Sequence, residues 1–302
     1  MSPASSSPAA GCRWWPAPAK LNLFLHVTGR RADGFHDLQT LFQLLDWGDE
    51  IGLEVTGDAR VERVEGPSLI PPGDDLAVRA ALALQTATGT RQGVRIWLRK
   101  RIPLGGGLGG GSSDAATVLR VLNQLWATGL KLAELAVLGL KLGSDVPVFI
   151  HGSSAWAEGR GERLTPIALA EAWYLIIHPG VAVATASIFQ APELTRNSPL
   201  ITIRALSPDQ PGQETRNDCE SVVRDAYPAV AEALDWLSAR AVARMGERAS
   251  ARLSGTGSCV FAPFACAADA ERVAARVPDE WRSFVARGVN RSPLDAAIAA
   301  AA

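Results

Sequence analysis

Between Lys20 and Val27 apolar and polar positions alternate. Leu21, Leu23, Leu25 and Val27 fall on one side, and Lys20, Asn22, Phe24 and His26 on the other. The pattern predicts a strand whose second face carries Lys20, Asn22 and His26 together. Asp33-Gly34 marks a turn, and the apolar runs Leu38–Leu45 and Ile51–Val55 predict two more strands. The period changes at Leu76–Thr88, a helix that Asp74-Asp75 can cap and Gly89 can stop. Val94, Ile96 and Leu98 restore the alternation. From Ser112 to Trp126 the apolar residues return at helical spacing, and a second helix fits Leu132–Leu142. Strands are expected at Val146–Ile150, Ser154–Glu158, Trp173–His178, Cys259–Phe264 and Phe284–Val289. Helices are expected at Cys219–Ala241, kinked at Pro228, and near Ala267–Val277. Ala205–Arg216 reads as a polar loop, Met1–Gly11 as a disordered leader, and the alanine-rich stretch 296–302 as a frayed end. The fold class is α+β, with one domain over 13–165 and a second over 166–294.

Charge narrows the function classes. Thirty basic residues face 31 acidic ones, a net charge of -1. That balance argues against a broad basic surface for nucleic acid or an anionic membrane. No apolar run approaches the ~18 residues of a membrane span. The four cysteines show no C-x-x-C spacing and the four histidines no H-E-x-x-H pair, so no metal-ligand set is assigned. Reduced thiols and a leader without signal-peptide character suggest the cytoplasm.

Of the 28 glycines, six fall in the seven positions from Gly105 to Gly111, between a predicted strand and a predicted helix. The stretch is Pro103, Leu104, Gly105, Gly106, Gly107, Leu108, Gly109, Gly110, Gly111, Ser112, Ser113 and Asp114. It brings unblocked backbone N–H groups to a helix N-terminus, where phosphate oxygens are the natural ligand. A flexible linker is the competing reading; the strong flanking elements and the N-cap chemistry of the serines and Asp114 weigh against it. Three familiar phosphate loops fail. No lysine follows until Lys131, so this is not a Walker A loop. The acidic residue that a dinucleotide fingerprint needs ~20 positions on is missing. Neither H-R-D nor D-F-G, the marks of protein kinases, occurs.

The loop resembles the P-x-x-x-G-L-G-S-S-A signature of the GHMP kinases. Further segments carry the likeness: Pro16–Phe42, Ile102–Ala116, Leu142–Phe149, Ala157–Glu162, Asn217–Glu220 and Ser254–Phe261. The resemblance implies a ribosomal-protein-like N-terminal domain, a ferredoxin-like C-terminal domain and a site between them. It implies ATP and Mg²⁺, a small-molecule cytidyl-diphosphate substrate phosphorylated on a hydroxyl, and a monomer or weak homodimer. A GHMP kinase for mevalonate or a sugar, and a catalytically silent nucleotide- or RNA-binding module, remain as alternatives.

Residue by residue, the resemblance makes Asp145 the base that takes the acceptor's hydroxyl proton; alone, it would read as an Asx-turn before Pro147. Lys20, otherwise a solvated strand residue, becomes the cation that holds Asp145 ionised, with Asn22 beside it. Phe35 and His36 would hold the cytosine ring; Phe35 stands where tyrosine is commoner and lacks its hydroxyl. Thr185 would meet the acceptor's polar part. Gly255, Thr256 and Gly257 would close over the site, although a tight turn explains them equally. Asp75 replaces an asparagine and can accept but not donate a hydrogen bond. The basic stretch from Arg91 to Arg101 (Arg91, Arg95, Arg99, Lys100 and Arg101) reads as a solvated face, with attraction of anionic nucleotides as the lesser alternative.

Overall fold

The structure, a computed structural model, describes residues 12–170, 172–203, 215–245 and 250–301. The expected leader and the loop through residue 214 lie outside the described residues. Ten strands are described: β1 (Arg13–Arg30), β2 (His36–Thr56), β3 (Val61–Glu65), β4 (Gly93–Arg99), β5 (Ala155–Gly159), β6 (Arg163–Pro166), β7 (Trp173–His178), β8 (Arg252–Leu253), β9 (Val260–Phe264) and β10 (Arg282–Val289). Nine helices accompany them: α1 (Leu76–Thr88), α2 (Gly110–Leu125), α3 (Leu132–Leu142), α4 (Val146–His151), α5 (Thr185–Gln190), α6 (Glu220–Ala226), α7 (Pro228–Met245), α8 (Ala267–Ala274) and α9 (Pro293–Ala299). The strands run in the order β3-β4-β2-β10-β7-β9-β8, with β1 and β5 also on β2 and β6 on β5.

Helix α1 follows from its caps: the Asp75 carboxylate accepts from Ala77 N at 2.9 Å, and Gly89 closes the helix. Helix α3 and strand β7 also have the bounds that the sequence pattern predicts. Helices α1 to α4 cover one part of the sheet around Trp15, Phe42, Ile51, Val118 and Leu122. Helices α5 to α8 cover another around Leu175, Ile177, Leu234, Leu237 and Phe264. A smaller cluster joins them: Leu21 and Leu45 meet Ile176 and Phe261, with Ile102 and Leu108 from the glycine loop. The leucine in the middle of that loop is thus a core anchor that fixes the loop where the two larger clusters meet.

Several elements differ from the sequence expectation. The two strands expected within 38–55 are one, because β1 keeps pairing through Gly48 and Asp49; a backbone ladder does not require apolar side chains. Val146–Ile150 is helix, not strand. All five residues are buried, so they show no period, and Pro147 sits in the first turn, where no amide is missed. The alanine-rich end is helical to Ala299: Ser292 Oγ accepts from Leu294 N, Leu294 is buried in the first cluster, and Ala297 and Ile298 pack against it. In β1 an irregularity between Asn22 and Leu25 shifts the phase. Lys20 and Asn22 therefore share their face with Leu25, and His26 turns away to stack edge-on against Phe24.

Candidate active site

The glycine run ends in the helix instead of preceding it. Gly109 is the N-cap of α2, with φ +74°, and Gly110 and Gly111 form the first turn. Ser113 and Asp114, expected as caps, are buried in the helix body, and Ser113 Oγ has no hydrogen-bond partner. The loop is held from two sides. Lys20 N, on β1, donates to Leu108 O; Ser258 N and Cys259 N, in the C-terminal half, donate to Gly105 O and Gly106 O, each at 3.1 Å. Gly107, at φ +73°, admits the closest approach: a Cβ there would lie 2.0 Å from Ser254 O. The segment Ser254–Ser258 thus packs against the glycine loop, and the two form one floor.

Lys20 is 2 % exposed and organises the centre of this floor. Its Nζ donates to Asn22 Oδ1 at 2.5 Å and Gly107 O at 3.0 Å, and lies 3.2 Å from Asp145 Oδ2. Asn22 is fixed in turn by Thr40 Oγ1, to which its Nδ2 donates at 2.9 Å. Asp145 occupies the N-cap position of α4 yet makes no capping bond. Its carboxylate is a third exposed and faces the lysine, so the Asx-turn explanation does not account for it.

All of these groups open into one cavity of about 1020 Å³. Its walls include the glycine loop from Pro103 through Ser112, Thr185, Gly255 and Thr256; Ser113 and Gly257 are behind the wall. Thr185 Oγ1 and Thr256 Oγ1 are 2.9 Å apart. The wall also carries Phe35, 49 % exposed, and His36, 8 % exposed. Arg196 Nε donates to His36 Nε2 at 3.2 Å, which leaves Nδ1 as the protonated nitrogen. Burial, then the cations Arg196 and Arg30, lower the His36 pKa and keep the ring neutral. His36 also stacks on Phe189, centroids 5.2 Å apart.

Sequence reasoning missed Phe189, Ser144, Arg160 and Lys100, all on the cavity wall. Lys100 is no part of a solvated face. Its Nζ is held by Asp49 Oδ2 and by Asp114 Oδ2, and Asp49 Oδ1 accepts from Ile102 N at 2.8 Å. The lysine directly precedes the Arg-Ile-Pro-Leu-Gly entry to the loop, which was the available signal. Its neighbours Arg95, Arg99 and Arg101 are half exposed and pair with Glu54, Glu62 and Glu50. Asp75 is off the wall; besides capping α1 it binds Arg63 Nη1 at 2.7 Å.

The model described as the N-terminal domain of GHMP kinases matches residues 75–153, and that of the C-terminal domain matches 202–283. A protein of Halorhodospira halophila named 4-diphosphocytidyl-2-C-methyl-D-erythritol kinase is 55 % identical over 291 residues, 95 % of this chain and 97 % of the relative. One of the same name from Alkalilimnicola ehrlichii is 56 % identical over 282 residues, 93 % of either chain. The crystal structure of a 4-(cytidine 5'-diphospho)-2C-methyl-D-erythritol kinase superposes with TM-score 0.77 at 35 % identity, over 92 % of this chain and 99 % of its own. Mevalonate kinase of Methanococcus jannaschii shares the fold, with TM-score 0.61 at 15 % identity over 95 % of this chain and all of its own. With its glycine loop, its Lys20–Asp145 pair and near full-length kinase relatives at more than half identity, this chain belongs to the GHMP kinases.

Proposed function

We propose that the chain transfers the γ-phosphoryl group of ATP to the 2-hydroxyl of 4-diphosphocytidyl-2-C-methyl-D-erythritol, a step towards isoprenoid precursors that bypasses mevalonate. The observation that carries this reading is the ion pair of Lys20 and Asp145 beside the glycine loop, in a cavity that Phe35 and His36 also line. Asp145 orients the acceptor hydroxyl and accepts its proton as the oxygen bonds to the γ-phosphorus and the bond to ADP breaks. Early proton transfer contributes little in a loose phosphoryl-transfer transition state, so orientation dominates. Lys20, paired with this carboxylate, lowers the repulsion between it and the incoming phosphate. The backbone N–H groups at the start of α2 receive phosphate oxygens. Phe35 offers a stacking face for the base and His36 Nδ1–H a donor, while Thr185 serves the polar part of the acceptor.

Among the described residues no group of three or more His, Cys, Asp or Glu could hold a metal ion. The donors on the wall, Asp145 and Ser112, suit a Mg²⁺ carried mainly by nucleotide phosphates, and a bound Mg²⁺ would shield their charge. A domain division near residue 165, a monomer or weak homodimer and a cytoplasmic setting complete the reading. The cavity is formed within one chain, and no helix among the described residues is long and apolar enough to cross a membrane.

An ADP-release assay with this acceptor and with mevalonate tests the proposal; turnover on mevalonate alone would sink it. Asp145→Asn should lower kcat about 10²-fold or more with nucleotide affinity kept. Near-normal turnover would remove Asp145 from the mechanism.

A further inference from the structure

Three cationic side chains of the cavity wall are buried or half-buried, and two are paired with aspartates: Lys20 with Asp145, Lys100 with Asp49 and Asp114. Arg30, also on the wall, is exposed to water and needs no partner. Arg160 is the third. It is half-buried, and among the described residues no carboxylate lies within ion-pair distance of it, although the Asp33 carboxylate feels its charge. Its guanidinium lies 3.8 Å from the Phe35 ring centroid, and Nη2 donates to Ser144 Oγ at 3.4 Å. Its Nε is buried with no hydrogen-bond partner. A buried guanidinium N–H left unmade is unfavourable, and such groups are rare unless a ligand completes them.

The turn that carries Arg160 is firmly built. Gly159 and Gly161 both take positive φ, Glu162 Oε2 accepts from Arg160 N at 2.6 Å, and Gly161 N donates to Glu158 O at 3.1 Å. This turn places the guanidinium between the aromatic Phe35 and Ser144, the neighbour of Asp145. In an acceptor whose cytosine lies at Phe35 and whose hydroxyl lies at Asp145, the diphosphate must cross the interval between them.

We infer that Arg160 binds the diphosphate of the acceptor and so selects a nucleoside-diphosphate-linked alcohol over a free alcohol. The inference rests on the acceptor reading given above. Guanidinium is suited to it, because its fork offers several N–H donors to phosphate oxygens while its plane stays on the aromatic ring. Half of the Phe35 surface remains exposed with the guanidinium in place, which leaves room for the base.

Cytidine, CMP and CDP, titrated by calorimetry with saturating ADP to fill the glycine loop, provide the test. Wild type should bind CDP more tightly than cytidine. Arg160→Ala should remove about 10- to 100-fold of CDP affinity and change cytidine affinity little; Arg160→Lys should keep part of the preference. In steady state Arg160→Ala should raise KM for the acceptor and leave KM for ATP unchanged. Equal weakening of cytidine and CDP would mean that Arg160 acts only through Phe35 and would overturn the inference, as would unchanged CDP binding. If wild type binds none of the three, the acceptor reading itself falls and this inference with it.

Discussion

Asp114 is enclosed in the body of α2, with Oδ2 on Lys100 and Oδ1 buried without a partner. Burial pushes its carboxyl up to about 7; Lys100 opposes that shift, and Asp49, then Asp75, add to it. Its ordinary pKa is 3.8, so the folded state retains a proton that the unfolded chain has released. The stability this contributes is fully present below about pH 4 and lost as pH rises through about 7. Asp114→Asn cannot ionise, so its melting temperature should fall less than that of wild type between pH 5 and pH 8. Parallel falls in the two proteins would exclude Asp114 as the source. The glycine run beside it was legible in the sequence, but this triad was not: Asp49, Lys100 and Asp114 come from three separate segments and carry no local spacing rule.

At the scale of elements the floor of the site is two loops in register, one before α2 and one before β9. The backbone bonds from Ser258 and Cys259 to Gly105 and Gly106 set the pair, and Gly107 sets the separation. Gly107→Ala combines a left-handed φ with a Cβ 2.0 Å from a backbone oxygen. It should weaken nucleotide binding by about tenfold or more. Gly57→Ala, with open space around it, should bind as wild type does, and calorimetric titration with an ATP analogue compares them. Wild-type affinity in Gly107→Ala would show that the loops need not approach so closely. The sequence marked both loops as glycine-rich. Their contact spans about 150 positions, which periodicity cannot report.

Across the whole molecule the chain returns at its end to the part where it began. Helix α9 packs on the first cluster, with Leu294 1 % exposed and Asp295 Oδ1 2.6 Å from Arg120 Nη1. Leu294→Ala should cost about 2–4 kcal/mol in urea unfolding, because the site is enclosed by α2 and β1 and has little room to collapse. A loss below about 1 kcal/mol would mean that α9 covers the core without supporting it. An alanine-rich end shows no period that separates a frayed tail from a packed helix; only the apolar surface that it covers decides.

Local chemistry is what the sequence determined by itself: the cap and stop of α1, the bounds of α3 and β7, the glycine-rich character of the loop between β4 and α2, and the motifs that identify the kinase family. Those are short-range properties, written in neighbouring residues. The tertiary structure decided which side chains share a cavity. A phase shift in β1 removed His26 from the polar face and left Lys20 with Asn22; the absence of a capping bond freed Asp145 to meet Lys20; and burial made partners of Lys100, Asp49 and Asp114. It also left Arg160 outside every ion pair among the described residues. Charge pairing across the fold depends on distance in space, and a one-dimensional pattern does not contain that distance.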